Sequence, residues 1–248
     1  MKTLVIGDTH GKTIWREIVN KEQADKIIFL GDYVTTHKLE TPEQQVANLK
    51  SIFEYAENKR AEGVEVILLR GNHCVQMLGY DWAECSGWDQ KLYELMIPLK
   101  QKYLDMTQWV YLDNNVVFSH AGVSTEWMER IAGIKSIDEI NDLPPSEIFG
   151  FTPCKMSDYY GTSPTQPPTW IRPLTLIEYM PEGYTQVVGH TPVEKVCNVG
   201  QEYRENYNID YPDLWCCDAL DNEEYLVIED GLFIPKKLND YGKDCKSN

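Results

Sequence analysis

Residues 2–11 read K-T-L-V-I-G-D-T-H-G, and this stretch decides the fold. Leu4, Val5 and Ile6 form an apolar run stopped by Gly7, too short for a helix of ordinary length. A run of that length bounded by glycine reads as a buried strand. Behind the glycine stand Asp8 and His10, both metal-ligand types, closed off by Gly11. In open α/β sheets the carboxyl ends of strands are where sites are built. Glycine there lets the backbone turn sharply and lets other groups come close.

The same event recurs four times. Residues 24–30 (A-D-K-I-I-F-L) run into Gly31-Asp32-Tyr33, and residues 64–69 (V-E-V-I-L-L) are soon followed by Gly71-Asn72-His73. The strand at 116–118 ends in Ser119-His120-Ala121-Gly122, and that at 186–188 in Gly189-His190-Thr191. Between the early strands, residues 42–61 carry Val46, Leu49, Phe53 and Ala56 on one helical stripe, with Thr41 as cap and Pro42 in the first turn. A further helix is expected over about 89–105, kinked or split at Pro98. Strands alternating with helices indicate an α/β layered fold. Residues 143–173, rich in proline, threonine and serine, read as an irregular excursion over the active face of a single domain spanning 1–248. From 214 to 235, short apolar runs suggest antiparallel strands, with a tight turn at Asp230-Gly231.

Composition narrows the function classes. The formal charge is −16, from 39 acidic and 23 basic residues, and such a surface repels duplex nucleic acid and anionic membranes. It leaves phosphate chemistry open, because bound dications reverse the sign locally. The seven cysteines include no C-x-x-C pair, and no signal peptide or membrane-length apolar run is present, so a reduced cytoplasmic setting is expected. The vicinal Cys216-Cys217 reads as strand packing, and Asp218 after it as either a site aspartate or a solvated turn residue. Nothing in the sequence bears on oligomeric state.

Of five histidines, His10, His73, His120 and His190 all fall in the strand-end clusters, beside Asp8, Asp32 and Asn72. Carboxylate and imidazole together suit Mn, Fe, Zn or Ni better than calcium.

The ordered series G-D-x-H-G, G-D, G-N-H, H and G-H-T, over residues 7–191, resembles the calcineurin-like metallophosphoesterase superfamily. Within it the sequence is similar to serine/threonine phosphoprotein phosphatases and their bacterial and phage relatives, which include symmetrical dinucleoside tetraphosphate hydrolases. The resemblance implies two central β-sheets flanked by helices in α-β-β-α layers, and two divalent metal ions, with Mn first and Fe, Zn or Ni as alternatives. It implies that Asp8 and His10 bind the first metal, that Asp32 bridges both, and that Asn72, His120 and His190 complete the second. His73 would protonate the leaving group. The reaction implied is in-line attack on phosphorus by a metal-bound hydroxide, with inversion.

The sequence also departs from that pattern. Phosphoprotein phosphatases continue the second motif as G-D-Y-V-D-R-G, whereas here Thr35-Thr36-His37 follow Val34, and Cys74 stands where G-N-H-E has glutamate. The absent aspartate would orient His73, for which Thr35 is a neutral substitute, and the absent arginine would grip phosphate. Arg172, in Trp170-Ile171-Arg172-Pro173, resembles a phosphate-binding segment of the bacterial relatives, and His37 lies where it can reach phosphate or serve as a solvated loop residue. Arg70 reads as structural.

A phosphomonoesterase acting on a protein or small-molecule substrate is therefore expected first. A phosphodiesterase or dinucleoside polyphosphate hydrolase comes next, and then a catalytically weak, metal-bearing binding module. A nuclease of the same superfamily is disfavoured, since Gly189-His190-Thr191-Pro192 lacks the second histidine of a G-H-x-H ending.

Overall fold

A computed structural model describes residues 1–35, 40–151 and 161–239. His37 and residues 152–160 of the expected excursion lie outside the described residues.

Among the described residues, ten strands form two mixed sheets of five. In the first, β1 (Lys2–Ile6) is central: it runs parallel to β2 (Lys26–Phe29), which is parallel to β3 (Glu65–Leu68). The other side of β1 is covered by an antiparallel hairpin, β9 (Glu224–Glu229) and β10 (Leu232–Lys237), turning at Asp230-Gly231 as expected. The second sheet orders β4 (Val110–Asp113), β5 (Val116–Ser119), β6 (Thr185–Pro192), β8 (Leu214–Asp218) and β7 (Cys197–Asn198) across its width. The expectation of antiparallel strands after residue 214 holds for β9 and β10, whereas β8 lies in the other sheet, antiparallel to β7 but parallel to β6. The run L-W-C-C is apolar without a break, as strands covered on both faces are.

Alternation along the strands sorts side chains between layers. Leu4 and Ile6 point to a cluster with Trp15, Ile18, Leu49, Ile52 and Phe53 of the first sheet's helices. Val5, Ile28 and Leu30 turn the other way, onto Phe118, Val187 and Cys217 of the second sheet. Cys216 and Cys217 consequently face opposite sides of β8: Cys216 joins Leu214, Val188 and Ile171 on the outer face. Both are packing residues, as their sequence suggested.

Helix α1 (Trp15–Glu22) and helix α2 (Pro42–Ala61) cover the first sheet. Thr41 caps α2 in a capping box with Gln44, with Pro42 in the first turn. The expected helix at 89–105 is split: Gln90–Met96, a 3₁₀ turn at Ile97–Leu99 containing Pro98, then Lys100–Met106. A helix at Val199–Tyr207, largely polar, was not foreseen. No described helix is long and apolar enough to cross a membrane.

Glu22, buried at the end of α1, ties the helix to the sheet. Its carboxylate accepts from Tyr225 Oη at 2.7 Å and Lys236 Nζ at 3.0 Å, and pairs with Lys2. Burial alone would raise its pKa, but hydrogen bonds from Lys2, Tyr225 and Lys236 outweigh that and hold it at about 2. A folded pKa below the unfolded 4.5 means this stabilisation is present above about pH 4.5 and is lost as pH falls towards 2. Glu22→Gln should cost roughly 1–3 kcal/mol at pH 7 and flatten the acid limb of stability. Equal acid slopes in thermal melts of variant and wild type would exclude Glu22 as the linked group.

Candidate metal centre

Among the described residues, four strand ends and the register break within β6 converge at the carboxyl edges of the two sheets. Asp8 and His10 follow β1, Asp32 follows β2, and Asn72 opens a short helix, α3 (Asn72–Gln76), behind β3. His120 directly follows β5. His190 lies inside β6, because the strand expected to stop at Gly189 runs on to Pro192 through a register shift between Val188 and Pro192. That bulge re-aims the His190 side chain.

His10, Asp32 and His190 adopt left-handed backbone at φ 44°, 43° and 62°. Such conformations cost on the order of 1–3 kcal/mol each and collect at functional sites. Backbone contacts hold them: His10 N donates to Asp32 O at 2.8 Å, and Gly189 N to His120 O at 2.8 Å. His190 N donates to both Asp8 carboxylate oxygens at 3.1 Å. Gly189 is required at this junction, since a β-carbon there would collide with Asp8 Oδ1.

The imidazoles are oriented by carbonyl groups, which only accept. His120 Nδ1 therefore donates to Leu30 O at 2.9 Å, and His10 Nδ1 to Val34 O at 3.1 Å. Each ring thus turns Nε2 towards the carboxylates, the outer arrangement usual for metal-binding histidines. His120 Nε2 lies 3.2 Å from Asp32 Oδ2 and 2.9 Å from Asn72 Oδ1; His190 Nδ1 is 3.1 Å from the same Asn72 oxygen. His10 Nε2 is 3.8 Å from Asp8 Oδ2.

These atoms fall into two groups that share Asp32: Asp8, His10 and Asp32, and Asp32, His120 and His190, each with ligand atoms within 4.8 Å of one another. Electron pairs of carboxylate, amide oxygen and imidazole crowd one another here, and only a proton or a cation relieves that. Burial would lower the His120 pKa, yet the carboxylates of Asp32 and Asp8 outweigh it and raise it to about 9. Burial pushes Asp32 up, but His120 and His73 overrule it and keep its pKa well below the usual carboxylate range. Asp8 is raised by burial and by the charge of Asp218. Among the described residues, Asn72 Nδ2 and His190 Nε2 are buried without a hydrogen-bond partner. The donor set, its burial and the unpartnered imidazole nitrogen of His190 fit divalent cations.

Asp218 was the residue the sequence left undecided. It ends β8 opposite Pro192, and burial raises its pKa to about 6, with Lys12 opposing. It belongs beside Asp8, not in a solvated turn. Another strand end bearing a ligand-type residue was the signal available for it.

His73 is also at the site. Its N–H donates to Asp32 Oδ1 at 3.0 Å, and its ring lies edge-on to His10 with centroids 5.5 Å apart. Arg172 Nη1 donates to His190 O at 3.3 Å and Thr191 Oγ1 at 3.0 Å, which seats the guanidinium on the β6 bulge. Trp170 sets its ring edge-on to His190 at 5.5 Å between centroids. Arg70 instead bonds the carbonyls of Leu104 and Thr107 and stacks on Trp109, a structural position. Cys74 is buried and accepts from Tyr33 N at 3.0 Å.

Two mixed sheets with a carboxylate–imidazole cradle at their strand ends define an α/β fold with a candidate metal centre. The chain matches the model of the calcineurin-like phosphoesterase family over residues 1–217, and it belongs to that family. Among solved structures, the cold-active protein-tyrosine phosphatase of a psychrophilic Shewanella species is similar with a TM-score of 0.66 and 19% identity, over 96% of this chain and 78% of that one. A protein serine/threonine phosphatase from Saccharomyces cerevisiae, with similarity to human phosphatase PP5, is similar with a TM-score of 0.53 and 14% identity, over 95% and 79%. At such identities the likeness is one of fold. No curated protein matches the chain in sequence.

Proposed function

We propose that the protein hydrolyses phosphomonoesters, on a protein or a small molecule, with two divalent cations in the overlapping ligand groups. The observation that supports this reading is the sharing of Asp32 between the two groups. A bridging carboxylate suits cations at the roughly 3.5–4 Å spacing of two-metal hydrolysis. Cations bound there, Mn²⁺ before Fe, Zn or Ni, would lower the pKa of a water towards about 7 and stabilise the attacking and leaving oxygens.

The chain's own residues do the rest. Asp8, His10, Asp32, Asn72, His120 and His190 would hold the charge in place, and the bonds that His120 and His10 donate to Leu30 O and Val34 O fix two of the rings. Arg172 is assigned to the substrate phosphate: it sits beside the cradle, within the fields of Asp8 and Asp218. Its planar fork suits phosphate oxygens. His73, whose backbone is tied to Asp32 Oδ1, is assigned to donate a proton to the leaving oxygen. The two phosphatases of like fold favour a monoester over a diester.

The test compares p-nitrophenyl phosphate with bis-p-nitrophenyl phosphate, using metal-stripped protein with and without Mn²⁺. Metal-dependent turnover with the monoester preferred is expected. Preference for the diester would reverse the order of substrates, and tight Mn²⁺ binding without any hydrolysis would leave a metal-bearing binding module.

A further inference from the structure

His73 is held from behind by a pair of side chains that the reaction so far leaves unused. Cys85 Sγ lies 3.5 Å from His73 Nδ1, and 2.9 Å from Gln76 Oε1. Gln76 sits at the end of α3, one turn beyond His73, and its Nε2 donates to Cys85 O at 2.6 Å. That bond fixes the orientation of the amide, so Oε1 must face the sulfur. An amide oxygen only accepts, so the thiol hydrogen points to Gln76. The sulfur is then left as an acceptor towards His73, and Nδ1 is the nitrogen that carries hydrogen. Thr35, the neutral residue at the position of the absent aspartate, does not orient His73: its Oγ1 is buried with no hydrogen-bond partner among the described residues.

We infer that Cys85, locked by Gln76, is a positioning residue for His73, fixing its ring and tautomer so that Nε2 is turned to the leaving group. This rests on the phosphoesterase reading above. In the step it serves, a water oxygen bonds to phosphorus as the bond to the leaving oxygen breaks. The proton on His73 Nε2 passes to that leaving oxygen. The proton lost by water goes to solvent, from which Nε2 is recharged, while Nδ1–H stays on the sulfur throughout. A thiol is a weaker acceptor than a carboxylate, so it orients the ring with little added charge.

The experiment uses the full chain loaded with Zn²⁺, and the variants Cys85→Ala and Cys85→Ser. Two aryl phosphates separate proton donation from general damage: p-nitrophenyl phosphate has a good leaving group and phenyl phosphate a poor one. Cys85→Ala should lower kcat on phenyl phosphate about tenfold more than on p-nitrophenyl phosphate, because general-acid help is worth most to a poor leaving group. KM should change little, and Cys85→Ser should restore most of the loss. Equal losses on both substrates would overturn the inference.

A second readout needs no turnover: long-range ¹H–¹⁵N histidine spectra, with His73 assigned by His73→Gln. The Nδ1–H tautomer is expected in wild type and Cys85→Ser, and a mixture in Cys85→Ala. An Nε2–H tautomer in wild type would overturn the inference. The expected tautomers together with an inactive wild type would uphold the positioning and count against the hydrolase reading alone.

Discussion

Asp32→Asn is expected to lower Mn²⁺-dependent hydrolysis by at least 10²–10³-fold, on the order of the loss from removing one electrostatic stabiliser at a reacting centre. The reason lies in the arithmetic of charge. Asp32 is the one residue common to both ligand groups, so a single neutralisation weakens both. Asparagine keeps the shape and an oxygen able to accept from His73 N, now made at 3.0 Å, so α3 should stay in register. The readouts are kcat/KM on p-nitrophenyl phosphate at saturating Mn²⁺, the metal content after dialysis, and a thermal melt. Activity near wild type with full metal occupancy would show that Asp32 does not bridge.

Gly71→Ala should have the other large effect, on both stability and metal affinity. Gly71 has φ −103° and ψ 158°, backbone that any residue adopts, so alanine meets no conformational penalty there. What it meets is Asp32: a β-carbon would collide with Oδ1 and with the backbone nitrogen. Relief requires moving the shared carboxylate or the start of α3. Overpacking of this kind costs about 1–3 kcal/mol, and displaced support around a metal ligand costs about 10–100-fold in affinity or activity. Urea unfolding and Mn²⁺ titration measure the two effects. Undiminished Mn²⁺ affinity would mean that the cradle does not depend on this close approach.

Much of this was legible in the chain because the physics is local. Each early strand is an apolar run stopped by a ligand-bearing motif, so residue type marks both the strand end and the site. The helix at 42–61 announces itself through Thr41, Pro42 and its apolar stripe. The features that escaped depend on long-range geometry. The direction of β8 is set by how the chain returns to the second sheet, though its unbroken apolar run was the available sign. The helix at Val199–Tyr207 is polar enough to hide its period. Asp218 lacks a neighbouring glycine or histidine, and only its pairing opposite Pro192 brings it to Asp8. Cys85 is twelve residues from His73 and meets it through the turn after α3, which no spacing in the sequence announces.

The division of the cradle between the sheets has a mechanical consequence. Asp8, His10, Asp32 and Asn72 hang from the first sheet, His120 and His190 from the second. Cations seated among them would act as rivets through the seam of the sandwich. Any slip of one layer on the other would be felt as a change in ion affinity, and ion binding would resist the slip by the same free energy. At a hundredfold excess over the dissociation constant that linkage amounts to about 2.7 kcal/mol. Cohesion of the two halves and chemistry at their junction would then draw on the same six side chains.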